Sequence, residues 1–233
     1  MTTTPLTVDF PLTGEWFVGA DGTEPGHELA FDFLRLDKRL KATDQSLWRE
    51  LLTAVPYQHH LGWGQPILSP FKGRVALAVD GVPEVPRAYL LKVLSVLRSA
   101  LSPAERRRLE RLLADPNTDI REFAGNHLVI ESLEHAGVYA FLAHARQGSL
   151  LVQPGDMVEA LQPVAQVGDS GQSNAPHLHF HLMSSPNPLD QHVLPFRFSA
   201  YEVLVDGSWT LKKDALPTRR QRVRSVTQVC PNA

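Results

Sequence analysis

The sequence predicts a mainly β protein, a twisted antiparallel β-sheet or sandwich with an inserted helical hairpin at about residues 86–115. Three observations support this fold class. Most of the 233 residues fall into short apolar or alternating runs, which are typical of strands. Turn residues such as Asp206-Gly207 separate these runs. One segment alone has helical periodicity, carried by Leu90, Leu94, Leu97 and Leu101.

The strands follow in order along the chain. Phe31-Asp32-Phe33-Leu34 alternates, so the two Phe face one way and Asp32 faces the other. Asp80-Gly81 is a hairpin-turn signal. The further runs expected to form strands are Gly73–Val79, His127–Glu131, Val138–His144, Ser149–Val152, Val164–Val167, His177–Leu182 and Pro195–Val205.

The helical hairpin has its own boundary signals. Ser102-Pro103-Ala104-Glu105 is a capping box with proline at the first helical position, and Asp115-Pro116 ends the second helix. We expect one domain over residues 1–205 with the helical insertion at about 86–118. A C-terminal strand and a basic tail are expected over 206–233, with Arg219–Arg224 as a mobile terminus.

Composition narrows the function classes. The formal net charge is -2, with 43% hydrophobic and 21% charged residues, so no nucleic-acid partner is indicated. The single cysteine, Cys230, excludes an intrachain disulfide and a thiolate zinc cage. No stretch approaches the roughly 20 apolar residues of a membrane span, and no signal peptide is visible. A cytoplasmic location is expected if Met1 is the native start, and an extracytoplasmic or periplasmic one if the sequence is trimmed or exported another way.

The most informative run is Pro176-His-Leu-His-Phe-His-Leu182. Side chains of a strand alternate between faces, so His177, His179 and His181 share one face. Imidazole is the commonest metal ligand and the usual acid or base near neutral pH. A catalytic zinc takes three protein ligands and leaves one position for water, and His, Asp and His can supply them. In a strand, one histidine can bind the metal while its neighbour shuttles a proton.

Other candidates are ambiguous when taken singly. Asp32 needs a partner, which is a metal or a structural group. His144 ends a strand whose same-face neighbours are apolar, so by itself it suits a structural role. The loop Gly168–Pro176 is rich in glycine and small polar residues, which lets backbone approach a ligand closely.

Together these residues resemble the lysostaphin/LytM-type zinc metallopeptidases, a peptidoglycan endopeptidase family with the duplicated hybrid motif fold. The resemblance covers roughly residues 14–205 without the helical hairpin. It is strongest in three segments between residues 125 and 179. The matching segments read Gly125-Asn-His-Leu-Val-Ile130, Tyr139-Ala-Phe-Leu-Ala-His144 and Gly168-Asp-Ser-Gly-Gln-Ser-Asn-Ala-Pro-His-Leu-His179.

The resemblance implies a zinc-dependent endopeptidase that cleaves peptide bonds in bacterial cell-wall peptides. One Zn²⁺ per chain would be bound by His27, Asp32 and His179. His144 and His177 would flank the zinc-bound water, one taking its proton and the other stabilising the oxyanion. The implied partner is a peptide or peptidoglycan substrate, and the oligomeric state stays open.

Two features depart from the family pattern. Asp32 lies five residues after His27 where the common spacing is four, so His27 must sit on a loop or bulge before the strand. Glu28 has the spacing that an ideal strand requires and is the alternative ligand. His181 shares the ligand face and is expected either behind the metal ligands or on the groove wall. We interpret His59, His60, His127, His135 and His192 as surface or structurally satisfied histidines.

Two other functions compete with the enzyme. A non-catalytic module of the same fold would bind cell-wall peptide or activate another hydrolase, but it would be expected to lack one of the site residues. An unrelated β-sandwich binding domain would have incidental histidines and no stoichiometric metal.

Overall fold

The computed structural model describes residues 5–23, 29–88, 118–190 and 192–226, with residues 90, 91, 94, 102, 104 and 107 between them. Short strands dominate these residues. They are β1 Leu6–Val8, β2 Glu15–Asp21, β3 Phe31–Leu34, β4 Pro66–Leu68, β5 Gly73–Val79, β6 Asn126–Ser132, β7 Tyr139–Ala145, β8 Met157–Val158, β9 Pro163–Gln166, β10 His177–Met183, β11 Phe196–Val205, β12 Ser208–Ala215 and β13 Arg222–Arg224. The α-helices are α1 Leu47–Leu52 and α2 Arg121–Ala124, and Tyr57–His59 and Pro188–Asp190 form 3₁₀ turns.

One large sheet organises the described residues. Its strand order is β1-β11-β13-β2-β3-β10-β7-β6-β5-β8, and β12 also pairs with β11. The β1–β11 pair is parallel, whereas the pairs from β13 through β8 are antiparallel. A second, two-stranded sheet joins β4 and β9. The mainly β fold class is therefore confirmed.

The core lies under the centre of the sheet, where β3 and β10 are neighbours. Phe31 pairs with Phe180 and Phe33 pairs with Leu178, and all four side chains are buried. Burying a large apolar side chain stabilises a fold by about 1.5–3 kcal/mol. Because both strands are fixed by this apolar face, their intervening residues must face the opposite side.

Several local predictions are wrong. Ser149–Val152 is not a strand, because Gly148 has a φ of 71° and the Ser149 hydroxyl bonds to the Arg146 carbonyl, which turns the chain. Asp80-Gly81 does not close a hairpin. The Asp80 carboxylate instead accepts hydrogen bonds from the amides of Gly81 and Gly148.

The basic segment near the C-terminus is also part of the sheet and not a mobile terminus. Arg222–Arg224 forms β13 between β11 and β2, and the Val223 side chain is fully buried. The Arg222 guanidinium donates to the Glu15 carboxylate at 2.6 Å and to the Leu36 carbonyl at 3.1 Å. The arginines that were predicted to form a mobile terminus therefore hold a strand in place.

The predicted helical hairpin lies mostly outside the described residues. Of the positions that are described there, Leu90, Leu91, Leu94, Ala104 and Arg107 have helical backbone. Within the described ranges, no helix is long and apolar enough to cross a membrane.

Candidate active site

Three adjacent strands carry the candidate site on the face opposite the core. His179 of β10 pairs with Asp32 of β3 on one side and with Ala143 of β7 on the other. Residues directly opposite one another in antiparallel strands share a face. The register therefore brings together Asp32 and His179, two of the predicted zinc ligands, although 147 positions separate them in sequence.

The Asp32 carboxylate lies at the centre of this group. Its Oδ1 is 2.9 Å from Nδ1 of His179 and 3.7 Å from Nε2 of His177. Burial of the carboxyl would raise the Asp32 pKa. The hydrogen bond from His179 and the charges of His177 and His179 outweigh burial, and they hold the pKa well below its usual range. Asp32 is thus an anion ready to bind a cation.

His144 reaches the site by a break in strand alternation. Ala140 and Leu142 of β7 pack in the main core, and by alternation His144 would follow them there. His144 has a φ of 62°, in the left-handed region, and Ala145 joins the main core in its place. The His144 ring lies 4.5 Å from the His177 ring, between centroids. The prediction that His144 shares a face with the apolar residues before it in β7 is therefore wrong. Strained backbone of this kind clusters at functional sites.

Backbone carbonyls fix the protonation of both predicted catalytic histidines. Nδ1 of His144 donates to the Ser170 carbonyl at 2.9 Å, and Nδ1 of His177 donates to the Ala175 carbonyl at 2.8 Å. A carbonyl only accepts, so in each neutral ring the proton sits on Nδ1 and the lone pair on Nε2. Burial, then the charges of His177 and His179, lowers the pKa of His144 well below its usual value. His144 is therefore a neutral imidazole at neutral pH.

A buried polar cluster supports the carbonyl that holds His144. The Ser170 hydroxyl accepts a hydrogen bond from the backbone N–H of Asn126 at 2.9 Å and donates one to the Ala145 carbonyl at 2.7 Å. The Asn126 side chain bonds to both backbone groups of Val82 and to the Ala145 carbonyl. Gly125 and Gly171 have φ values of 63° and 72°, and their backbones approach each other too closely for side chains.

These supporting contacts were not foreseen from the sequence. The carbonyls of Ser170 and Ala175 in the loop Gly168–Pro176 hold His144 and His177, and the close approach of this loop to a ligand stays a prediction. The feature of the sequence that could have indicated this polar cluster is the presence of two polar segments, Gly125-Asn126 and Gly168–Pro176, beside apolar strands.

Of the five predicted site residues, the structure brings Asp32, His144, His177 and His179 together. His27 and the alternative ligand Glu28 lie outside the described residues, so the first ligand stays a prediction. Among the residues that are described, no three His, Cys, Asp or Glu side chains have the arrangement of a complete metal site.

The donors that are present fit zinc. They are one carboxylate oxygen and one imidazole nitrogen, and both are zinc ligands. With bonds of about 2.0–2.1 Å, two tetrahedral ligand atoms lie about 3.4 Å apart. Asp32 Oδ1 and His179 Nδ1 are 2.9 Å apart. The pair is therefore about 0.5 Å closer than zinc requires, so the two side chains would separate by that amount to hold the ion.

Comparison with known proteins finds a family match in the second half of the chain. Residues 116–191 match Peptidase family M23, which confirms the LytM-type resemblance. This segment contains His144, His177 and His179, and Asp32 lies before it. The chain is also 37% identical over 68 residues to the peptidoglycan DD-endopeptidase ShyB of Vibrio cholerae. That match covers 29% of this chain and 15% of the relative.

Solved structures are similar at low sequence identity. A mutant catalytic domain of the prophage-encoded M23 protein EnpA from Enterococcus faecalis is 17% identical, with a TM-score of 0.39 over 74% of this chain and 84% of that one. The lysostaphin catalytic domain from Staphylococcus simulans is 16% identical, with a TM-score of 0.36 over 73% and 80%. A zinc-containing peptidase from Vibrio cholerae is 18% identical, with a TM-score of 0.34 over 76% and 35%.

Proposed function

We propose, on the match of residues 116–191 to Peptidase family M23, that this chain is a zinc-dependent metalloendopeptidase that hydrolyses cell-wall peptides. The observation that carries the proposal is the convergence of Asp32, His144, His177 and His179, with both proton-transfer histidines held by backbone carbonyls. Similarity to a protein named as a peptidoglycan DD-endopeptidase supports the choice of substrate class.

The metal would be held by Asp32 and His179 together with His27 as the predicted third ligand. When bound, zinc supplies Lewis-acid chemistry, activating water and polarising the peptide carbonyl. Asp32 contributes a full negative charge because its carboxyl is ionised throughout the neutral range. His179 contributes a neutral nitrogen, so the two donors give the cation one charged and one neutral ligand.

His144 and His177 would move the protons. Each ring presents Nε2 as its basic nitrogen, since Nδ1 is committed to a carbonyl. One imidazole accepts a proton from the attacking water as the carbon–oxygen bond forms, and becomes an imidazolium. The same proton can then pass to the amine that leaves when the carbon–nitrogen bond breaks. The second imidazole lies 4.5 Å away between centroids, and it would hydrogen-bond the developing oxyanion after taking a proton from solvent on its Nε2 before the attack.

The test is mass spectrometry of products. Zinc-loaded protein is incubated with purified peptidoglycan and with a panel of Gly- and D-Ala-containing peptides, beside His177→Ala and the exposed-surface control His192→Ala. New termini with wild type and with His192→Ala, but not with His177→Ala, support the proposal and name the bond. A protein that binds one zinc and yields no products would instead be a non-catalytic module that binds cell-wall peptide or activates another hydrolase.

A further inference from the structure

The third histidine of β10 touches the ligand histidine on the edge of its ring away from Asp32. Nδ1 of His179 is 2.9 Å from Asp32 Oδ1, whereas Nε2 of His179 is 3.2 Å from Nδ1 of His181. A neutral imidazole has one N–H and one lone pair. The two nitrogens of His179 therefore need different partners, and the structure supplies a different one at each.

Zinc binding decides which nitrogen carries the proton. A metal binds the nitrogen lone pair, and Asp32, the other described ligand, lies at Nδ1. The proton of His179 must then sit on Nε2 and point to an acceptor. Ligating histidines almost always donate this second N–H, and the donation fixes both the tautomer and the ring orientation.

We propose that His181 is a positioning residue whose Nδ1 accepts the Nε2 proton of His179 and thereby holds His179 in its zinc-binding tautomer. This inference rests on the proposed zinc site. It also fixes the tautomer of His181, whose own proton must then lie on Nε2.

The strand geometry explains why His181 can do this. Residues two apart in an extended strand share a face, which puts both rings on the site side of β10. Phe141 of β7, the cross-strand partner of His181, lies against both rings, with centroids 5.1 Å from His181 and 6.1 Å from His179. The two histidine rings stand almost perpendicular, at 82°. Phe141 therefore limits how far either ring can turn away from the other.

Direct zinc ligation by His181 is the main alternative, and a metal held at Nδ1 of His179 beside Asp32 excludes it. Nδ1 and Nε2 lie on different edges of the His179 ring, and His181 contacts the Nε2 edge. An ion bound at Nδ1 beside Asp32 is out of reach of that contact. Of the two expectations for His181, the position behind the ligand is thus favoured over a groove-wall position.

The experiment is a zinc competition titration against a chelator with the full chain. It compares wild type with His181→Asn, His181→Leu, His181→Ala and the exposed control His192→Ala. The asparagine Oδ1 can accept a hydrogen bond where the His181 Nδ1 does, whereas leucine fills similar space and accepts nothing. We expect zinc affinity to fall about 10- to 100-fold in His181→Leu and His181→Ala and to be largely restored in His181→Asn.

Each outcome has a separate meaning. Wild-type affinity in His181→Leu, or equal losses in His181→Leu and His181→Asn, overturns the positioning role while leaving the zinc site intact. Wild type that takes up no zinc overturns the proposed function first. Thermal unfolding in excess chelator provides the folding control, and we expect His181→Asn and His181→Leu to unfold close to wild type.

Discussion

A methyl group at position 125 would collide with the carbonyl that holds His144. A Cβ built on Gly125 lies 2.3 Å from the Ser170 hydroxyl and 2.4 and 2.5 Å from the Ser170 carbonyl carbon and oxygen. Ordinary contact between such atoms begins near 3.5 Å, so Gly125→Ala must move Ser170 by about 1 Å. Two of these three atoms are backbone, so a side-chain rotation cannot relieve the clash.

The free energy of unfolding should fall for two reasons. Alanine at the Gly125 φ of 63° costs about 1–3 kcal/mol in backbone strain. Overpacking adds about 1–3 kcal/mol. Gly137 separates these contributions, because its φ is 73° and a Cβ there meets nothing within 4 Å. We therefore expect Gly137→Ala to show strain from a positive φ without a clash, and Gly125→Ala, whose ψ of -141° also disfavours alanine, to be at least about 1–3 kcal/mol less stable than that control.

Function should respond to the same displacement. A shift of about 1 Å in a catalytic group can cost about 100-fold in rate. If Ser170 moves, the Nδ1 hydrogen bond of His144 is broken or bent, while Asp32 and His179 stay in their strands. We expect Gly125→Ala to lose about 100-fold in kcat with near wild-type zinc affinity. Urea unfolding, peptide cleavage and zinc titration measure the three quantities. Equal stability and activity in Gly125→Ala and Gly137→Ala would refute the reasoning.

Three further outcomes are expected. His27→Ala should weaken zinc binding far more than Glu28→Ala in a chelator titration; the reverse order would make Glu28 the ligand. Asn126→Ala removes the three hydrogen bonds of a buried side chain and should cost about 2–4 kcal/mol in urea unfolding, and a loss below about 1 kcal/mol would contradict this. Burial raises the pKa of Tyr201 from 10.0 to about 12. The contribution of protonated Tyr201 to the free energy of unfolding is complete below pH 10 and is lost as the pH rises toward 12. Tyr201→Phe should therefore lose less stability than wild type over this pH range in urea unfolding. Equal losses of stability in wild type and Tyr201→Phe would contradict this prediction.

Strand alternation correctly predicted which face of the sheet carries Asp32 and His179. The runs around Asp32 and His179 alternate without a break, so the faces of β3 and β10 could be assigned from sequence. His144 could not be placed in this way, because a single left-handed residue at the end of β7 reverses its direction. The resemblance to a family named His144 correctly as a neighbour of His177, while alternation pointed it into the core.

Contacts made by backbone atoms were beyond reach of the sequence. The carbonyls of Ser170 and Ala175 hold His144 and His177, the two histidines predicted to transfer protons, and every residue type has a carbonyl. Strand β13 was missed for a related reason. Its arginines suggest a mobile basic terminus, and only the pairing with β2 and β11 shows that Val223 is a core residue.

The strand order has a consequence for how the protein is made. Asp32 of β3 is made early in synthesis, whereas the neighbouring strand β10 ends only at Met183. On the other side of β3, strand β2 gains its second partner only when β13 at Arg222–Arg224 has been made. Pairings between such distant segments form slowly, because a long loop must close first. A nascent chain therefore carries Asp32 and His144 without their partners until β10 has left the ribosome. The cluster of Asp32, His144 and the β10 histidines can therefore assemble only after the chain has been made as far as Met183.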